Sequence, residues 1–429
     1  MLFSVLYECV MLIGFILFLP LILYQRMAYG KYRTSFFERF AIGFPKIERK
    51  GPLVWVHAVS VGECQAIKSL VLRLKKEIPN VVVVVSSITE TGHAEAIKTL
   101  DMADYHVYLP YDFFISVRRV LSQCDPDVII LSEGDFWYRF LQQAKRKGSV
   151  VIVANGKISN GSLKRLKRIP FFSKRVLSLV DFFCVQSDLY KDRFRLLSVP
   201  ASKIKVTGNL KCDAPQQPIS EKERIELKAR LGITPEDTVV VIGSSHDPEE
   251  ELLLKQLAPL FKTFSHLKVL IVPRHPERFD QVGEVIEKQG LSFSRWSEGR
   301  CDPKAQIVLV DAMGQLRQLY QIADIAIVAG SFTQKVGGHN IVEAQMYGVP
   351  VIVGPYMHTQ SGFLECSKYF DAIVQVDNHD LGKSVEALLN SPQRRRVLSA
   401  NSLKMYNSLQ GATERTMRCL HYLIPQFFQ

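Results

Sequence analysis

Glu63 stands three residues after Ser60, just beyond the apolar run that ends in Trp55, Val56, His57 and Ala58. A carboxylate at the carboxyl end of a strand is placed to take a proton from an incoming hydroxyl. The same Ser-x-x-Glu spacing also describes a capping box, in which the glutamate returns to the cap's amide. The pattern supports both roles. A second acidic loop, Ser132, Glu133, Gly134, Asp135, Phe136 and Trp137, follows another apolar run. Its carboxylates could do acid–base work or hold sugar hydroxyls, and they equally suit a helix start, where the macrodipole favours negative charge. Ser86, Thr89, Thr91 and Gly92 form a hydroxyl-rich turn that reads as a helix cap.

In the second half, Ser244 and His246 follow an apolar run, and Asp247, Pro248 and Glu250 read as an N-cap, an N1 proline and a capping-box glutamate. Arg274, His275 and Arg278 form a cationic cluster at a strand end, which suits a phosphate or carboxylate. The most specific local signal is Gly330, Ser331 and Phe332 followed by Gly337, Gly338, His339, Asn340 and Glu343. A strand, a glycine loop and a helix let the backbone approach a phosphate and offer it unpaired amides. The three-glycine dinucleotide fingerprint and the P-loop lysine are both missing, so a nucleotide-sugar phosphate fits better than NAD or ATP. Asn340 and Glu343 read as ligand contacts or as a cap and its partner.

These residues need a scaffold, and the chain writes one. Short β-branched runs alternate with segments of helical period, the pattern of parallel sheets with crossover helices. The first set is 53–58, 81–87, 128–132, 150–154, 182–185 and 204–207; the second is 238–243, 268–273, 307–310, 324–330 and 349–354. The expected fold class is α/β, with two Rossmann-like doubly wound domains facing across a cleft and an N-terminal membrane anchor helix. The boundaries are an anchor at 1–24, a first domain at 25–212, a linker at 213–220 rich in proline and glutamine, and a second domain at 221–429 whose last helix could pack back on the first. Ligands of such sheets lie beyond the carboxyl ends of the strands, so the cleft is the expected active site.

A chain of 429 residues that is 47% hydrophobic can give each of two domains its own core. The eight cysteines are scattered without paired spacing, and no histidines, cysteines or carboxylates fall at a metal-ligand spacing, so neither a disulfide framework nor a bound metal is expected. Residues 1–24 are apolar apart from Glu8 and are followed by Arg26, Lys31, Arg33 and Arg39. A cleaved signal carries its charges before the apolar run, so this segment reads as a retained anchor with the rest of the chain in the cytoplasm. The net charge of +12 gathers partly around Lys164, Arg165, Lys167, Arg168, Lys174 and Arg175, interleaved with Leu166, Ile169, Phe171 and Phe172, which suits an anionic membrane face better than nucleic acid.

Trp55–Glu63 resembles the opening motif of the 3-deoxy-D-manno-oct-2-ulosonic acid (Kdo) transferases. Ser132–Trp137, Ala154–Ser159, Gly208–Lys211 with Asp213, Gly243–His246, Arg274–Arg278 and Gly337–Glu343 resemble later motifs of that family, in order along nearly the whole chain. The pattern departs at Tyr138, where the family commonly has proline. The resemblance implies a GT-B glycosyltransferase that moves Kdo from CMP-Kdo, with inversion and without a metal, to a lipid A precursor (lipid IVA) at the bacterial inner membrane, in one transfer or several. It implies Glu63 as general base and acceptor or donor-sugar contacts from Ser60, Gly62, Glu133, Lys157 and Ser159. It assigns CMP to Ser244, His246, Arg274, His275, Gly337, Gly338, Asn340 and Glu343. Other readings are a lipid-linked N-acetylglucosamine transferase, a sugar-nucleotide epimerase, and a non-catalytic phosphosugar-binding membrane protein, which would need no positioned carboxylate.

Overall fold

The structure, a computed structural model, describes residues 2–29, 34–213 and 218–428. Met1 of the expected anchor, the basic residues Lys31 and Arg33, and linker residues 214–217 lie outside the described residues. Two compact units divide the chain, Met1–Pro215 with Leu409–Gln429, and Gln216–Ser408.

The first unit holds β1 (Leu53–His57), β2 (Val82–Ser87), β3 (Tyr105–Tyr108), β4 (Val128–Ser132), β5 (Val150–Gly156), β6 (Phe182–Val185) and β7 (Ile204–Val206). They form one parallel sheet in the order β3-β2-β1-β4-β5-β6-β7. Period-two alternation sends Leu53, Trp55, Ile129 and Leu131 to one core and Val54, Val56, Val128 and Ile130 to the other. Both faces are thereby covered, which is why the strands read as unbroken apolar runs. The C-terminal helix Ala412–Leu423 belongs to this unit and adds Met417 and Leu420 to the second core. Asp213 holds its start, accepting from Gly411 N and Thr413 N.

The second unit holds β8 (Thr238–Ser245), β9 (Leu267–Pro273), β10 (Phe293–Arg295), β11 (Ile307–Leu309), β12 (Ile325–Val328), β13 (Val351–Val353) and β14 (Ile373–Gln375), parallel in the order β10-β11-β9-β8-β12-β13-β14. Three strands escape the sequence reading: β3, β10 and β14. Each lies at a sheet edge and carries polar residues such as His106, Arg295 and Gln375, because an edge strand is only half covered.

Each sheet reverses its direction of growth once, between β1 and β4 in the first and between β8 and β12 in the second. A crevice opens beyond the carboxyl ends of the strands at such a reversal. The segments that follow these four strands carry Glu63, in the first turn of a helix, and Glu133, His246 and His339 on loops.

Candidate functional site

In the first unit β1 and β4 lie side by side, with His57 opposite Leu131, so the loops that leave them are neighbours. Ser60 caps the helix Val61–Glu77, its Oγ accepting from Glu63 N at 3.3 Å. The return bond of the expected capping box goes elsewhere. Glu63 Oε2 accepts from Val59 N at 2.9 Å, one residue before the cap, and Oε1 accepts from Ser60 Oγ at 3.0 Å. Burial pushes the Glu63 carboxyl up to about 7, and the charges of Glu133 and Asp135 push the same way against the bonds from Val59 and Ser60. A carboxyl serves as a base only when ionised, so any rate that depends on Glu63 in that role should rise about tenfold per pH unit below 7 and level off above it. A profile flat from roughly pH 5.5 to 8 would exclude Glu63 from that role.

Glu133 stands at φ +62, a left-handed backbone that strains a side chain of this kind by about 1–2 kcal/mol. Gly134 follows at φ +139, where a Cβ would press on the Phe136 ring. This turn delivers the Glu133 carboxylate to two lysines, Lys157 at 2.5 Å and Lys211 at 3.4 Å. Lys211 also lies against Gly62, where a Cβ would sit 3.4 Å from its Nζ. Ser159 caps the helix Asn160–Arg168, accepting from Ser162 N at 3.1 Å.

Glu63, Glu133, Asp135, Lys157 and Ser159 line one cavity of about 560 Å³. Its far wall is apolar, built from Leu166, Phe172, Val176 and Leu177 on the helices Asn160–Arg168 and Pro170–Leu177, with Arg165 among them. A floor of carboxylates and a lysine facing an apolar wall that carries an arginine suits a ligand with both polar and apolar parts.

Sequence reasoning passed over two residues here. Lys211 arrives from beyond β7, at the edge of the sheet, and reaches Glu133 only because the short helix Leu210–Asp213 packs against Val61–Glu77. Its place in the Gly208–Lys211 motif was the available signal. His57 is wholly buried, bonded through Nδ1 to Ser86 Oγ at 2.8 Å, with Nε2 4.0 Å from Asp135. Burial pushes it down to about 4, so it is a neutral ring at the base of the acidic loop.

In the second unit, the loops after β8 and β12 meet where Gly243 pairs with Val328. Ser244 takes φ +59 at the end of β8, as Glu133 does at β4. His246 and His339 touch at 2.7 Å between their Nε2 atoms, and the His275 ring packs edge-on to His246 at 5.1 Å. Burial pushes His339 down to about 4, helped by the neighbouring His246, Arg274 and His275; His246 is lowered for the same reasons. The expected cap at Asp247–Pro248 does not form. Asp247–Pro248 is a cis peptide, the helix runs Glu249–Leu257 without a side-chain cap, and Glu249 returns to His246 N at 3.1 Å while also holding Gly330 N and Phe332 N. Glu250 instead grips Arg278 at 2.8 and 3.3 Å, so Arg278 is a structural partner. Arg274 is exposed and has no carboxylate partner among the described residues.

The glycine loop differs in detail from its sequence reading. The amides of Gly337 and Gly338 are already donated, to Thr333 O at 3.2 Å and Gly330 O at 2.7 Å. These glycines, at φ +79 and +92, are needed because side chains would collide with His358 and Met357. The helix that follows is the single turn Val342–Gln345, too short for a strong dipole. Asn340 Oδ1 accepts from Val342 N at 3.1 Å and its Nδ2 donates to Glu343 Oε1 at 3.3 Å, so this pair is oriented as a unit. Ser244 at the end of β8, His246, Arg274, His275 and Asn340 on the loops beyond β8, β9 and β12, and Glu343 in the helical turn that follows thus stand at the carboxyl edge of one sheet.

The family described as 3-deoxy-D-manno-octulosonic-acid transferase (kdotransferase) matches residues 34–214. The 3-deoxy-D-manno-octulosonic acid transferase of Chlamydophila psittaci is 34% identical over 422 residues, 98% of this chain and 96% of the relative. That of Chlamydia pneumoniae is 33% identical over 427 residues, 99% and 97%. Among solved structures, UDP-GlcNAc 2-epimerase from Neisseria meningitidis superposes with a TM-score of 0.61 at 15% identity, over 86% of this chain and all of that one, a likeness of fold alone. Two parallel seven-stranded sheets of this kind make an α/β architecture of the GT-B type.

Proposed function

This chain belongs to the 3-deoxy-D-manno-octulosonic acid transferase family and is a glycosyltransferase, and from that premise we propose that it transfers Kdo from CMP-Kdo to a hydroxyl of a lipid A precursor, lipid IVA, with inversion. The observation that carries this reading is a half-buried carboxylate, Glu63, fixed by Val59 N and Ser60 Oγ and raised to about 7, on a cavity whose other wall is apolar with Arg165 among its residues. Glu63 takes the acceptor hydroxyl proton, the freed oxygen bonds to the anomeric carbon, and the bond from that carbon to the phosphate oxygen breaks with its electrons leaving on CMP. An anionic leaving group needs cationic neutralisation and no general acid. Arg274 supplies it, with His246, His275, Asn340 and Glu343 orienting the nucleotide. Glu133, held by Lys157 and Lys211, faces the sugar.

The reading places the chain at the inner membrane with its two units on the cytoplasmic side, supported by the apolar helix at its start. No metal takes part, because the leaving-group charge is met by side chains. Detergent-solubilised protein given CMP-Kdo and lipid IVA should yield product heavier by one Kdo, or by several if transfers follow one another, as read by mass spectrometry. An excess of EDTA should leave the rate unchanged; loss restored by magnesium refutes the metal-free step, and no mass gain refutes the activity.

A further inference from the structure

The helix Leu2–Tyr29 is long and apolar enough to cross a membrane, yet it touches the first unit from its first turns to its last. Near its start, Ser4 is buried and its carbonyl accepts from the Arg139 guanidinium. Tyr7 donates to Asp112 at 2.6 Å, and Glu8 accepts from Arg139 Nε and Phe114 N, each at 2.8 Å. Tyr138 joins Ser4 Oγ at 3.2 Å and Arg175 at 3.2 Å. Midway, the Phe15 ring packs on Tyr111 and Phe40 at 5.4 and 5.7 Å. Near its end, the Arg26 guanidinium lies 5.0 Å from the Phe37 ring. These contacts recur on one face of the helix. The opposite face is apolar and open, with Leu6, Ile13 and Leu17 at 60, 58 and 72% exposure.

A helix of this length reaches about 40 Å at 1.5 Å per residue, and a bilayer's hydrocarbon is about 30 Å thick. Were it to span, its ends would lie on opposite sides, and one folded unit could not touch both. A lone spanning helix would also leave Glu8 in hydrocarbon, whereas here two donors satisfy it. We infer that this helix is a docked part of the first unit that lies in the membrane interface, with both ends on the same side, its open face in the acyl chains and the neighbouring cationic helices on anionic headgroups. Charge argues for that partner: Phe171, 67% exposed, packs on Phe3 at 5.4 Å, Arg175 lies 4.9 Å from the Phe3 ring, and Lys164, Lys167, Arg168 and Lys174 have no carboxylate partner among the described residues.

The inference rests on the membrane reading above, and topology separates the two. The full chain, tagged at both termini, is digested by protease in inverted inner-membrane vesicles. Both tags should disappear together. Protection of the N-terminal tag while the C-terminal one is lost overturns the lying helix and leaves the membrane reading standing; recovery of the chain in the soluble fraction overturns both. Glu8→Leu gives a second readout, because it would favour a span but strands Arg139 without its carboxylate in a docked helix. The purified variant should melt several degrees lower, and an equal or higher melting temperature contradicts docking. Purified chain should float with vesicles containing phosphatidylglycerol more than with phosphatidylcholine alone; equal flotation removes the anionic partner.

Discussion

Glu63→Gln should lower the transfer rate by roughly 10²- to 10⁴-fold, the usual contribution of a positioned base, while the protein stays folded and binds its donor as before. Glutamine's single amide oxygen can still accept from Val59 N, while its Nε2 donates to Ser60 Oγ with the hydroxyl turned, so contacts at both positions, 2.9 and 3.0 Å in the wild type, are retained with the second one reversed. What it cannot do is take a proton. Stability gives an independent check on the direction of the carboxyl's shift. A carboxyl raised from 4.5 to about 7 by burial stabilises the fold only while protonated, in full below about pH 4.5, and that contribution is lost as pH rises through 7. At pH 8 the wild type carries a desolvated charge that the glutamine variant lacks, so the variant should melt no lower. A folded variant with most of the wild-type turnover would move the search for the base to Glu133 or Asp135, which share the cavity.

Arg274→Ala should raise the donor's Kd and KM by about 10- to 150-fold, the equivalent of a charge-assisted contact of roughly 1.5–3 kcal/mol. The distinction from Arg278 makes this specific. Arg278 is bound at 2.8 Å to the buried Glu250, and its loss would harm folding; Arg274 is exposed and unpaired with a carboxylate among the described residues, so its loss should leave stability intact. A second readout follows the histidines. Arg274 helps hold His339 and His246 below the ordinary imidazole range, so its removal should move both titrations upward in an NMR experiment. Unchanged donor affinity together with unmoved histidine titrations would place the nucleotide phosphate elsewhere.

The alternation of apolar runs and helical segments already determined two parallel sheets, because strands covered on both faces must be apolar throughout, and it determined which residues follow each strand. Glu63, Glu133, Arg274 and the glycine loop were legible for that reason: position after a strand is a property of the chain. Partners were not. Lys211 meets Glu133 through the packing of two helices far apart in sequence. The edge strands β3, β10 and β14 hid because half-covered strands need no apolar run. Whether an amide is free for a phosphate depends on acceptors elsewhere in the loop, and at Gly337 and Gly338 those acceptors are Thr333 and Gly330. Glu8 shows the division most plainly. Along the chain it is a charge interrupting an apolar stretch; in space it is the carboxylate that Arg139 and Phe114 hold, and only that three-dimensional pairing decides that the first helix is tied to the unit it precedes.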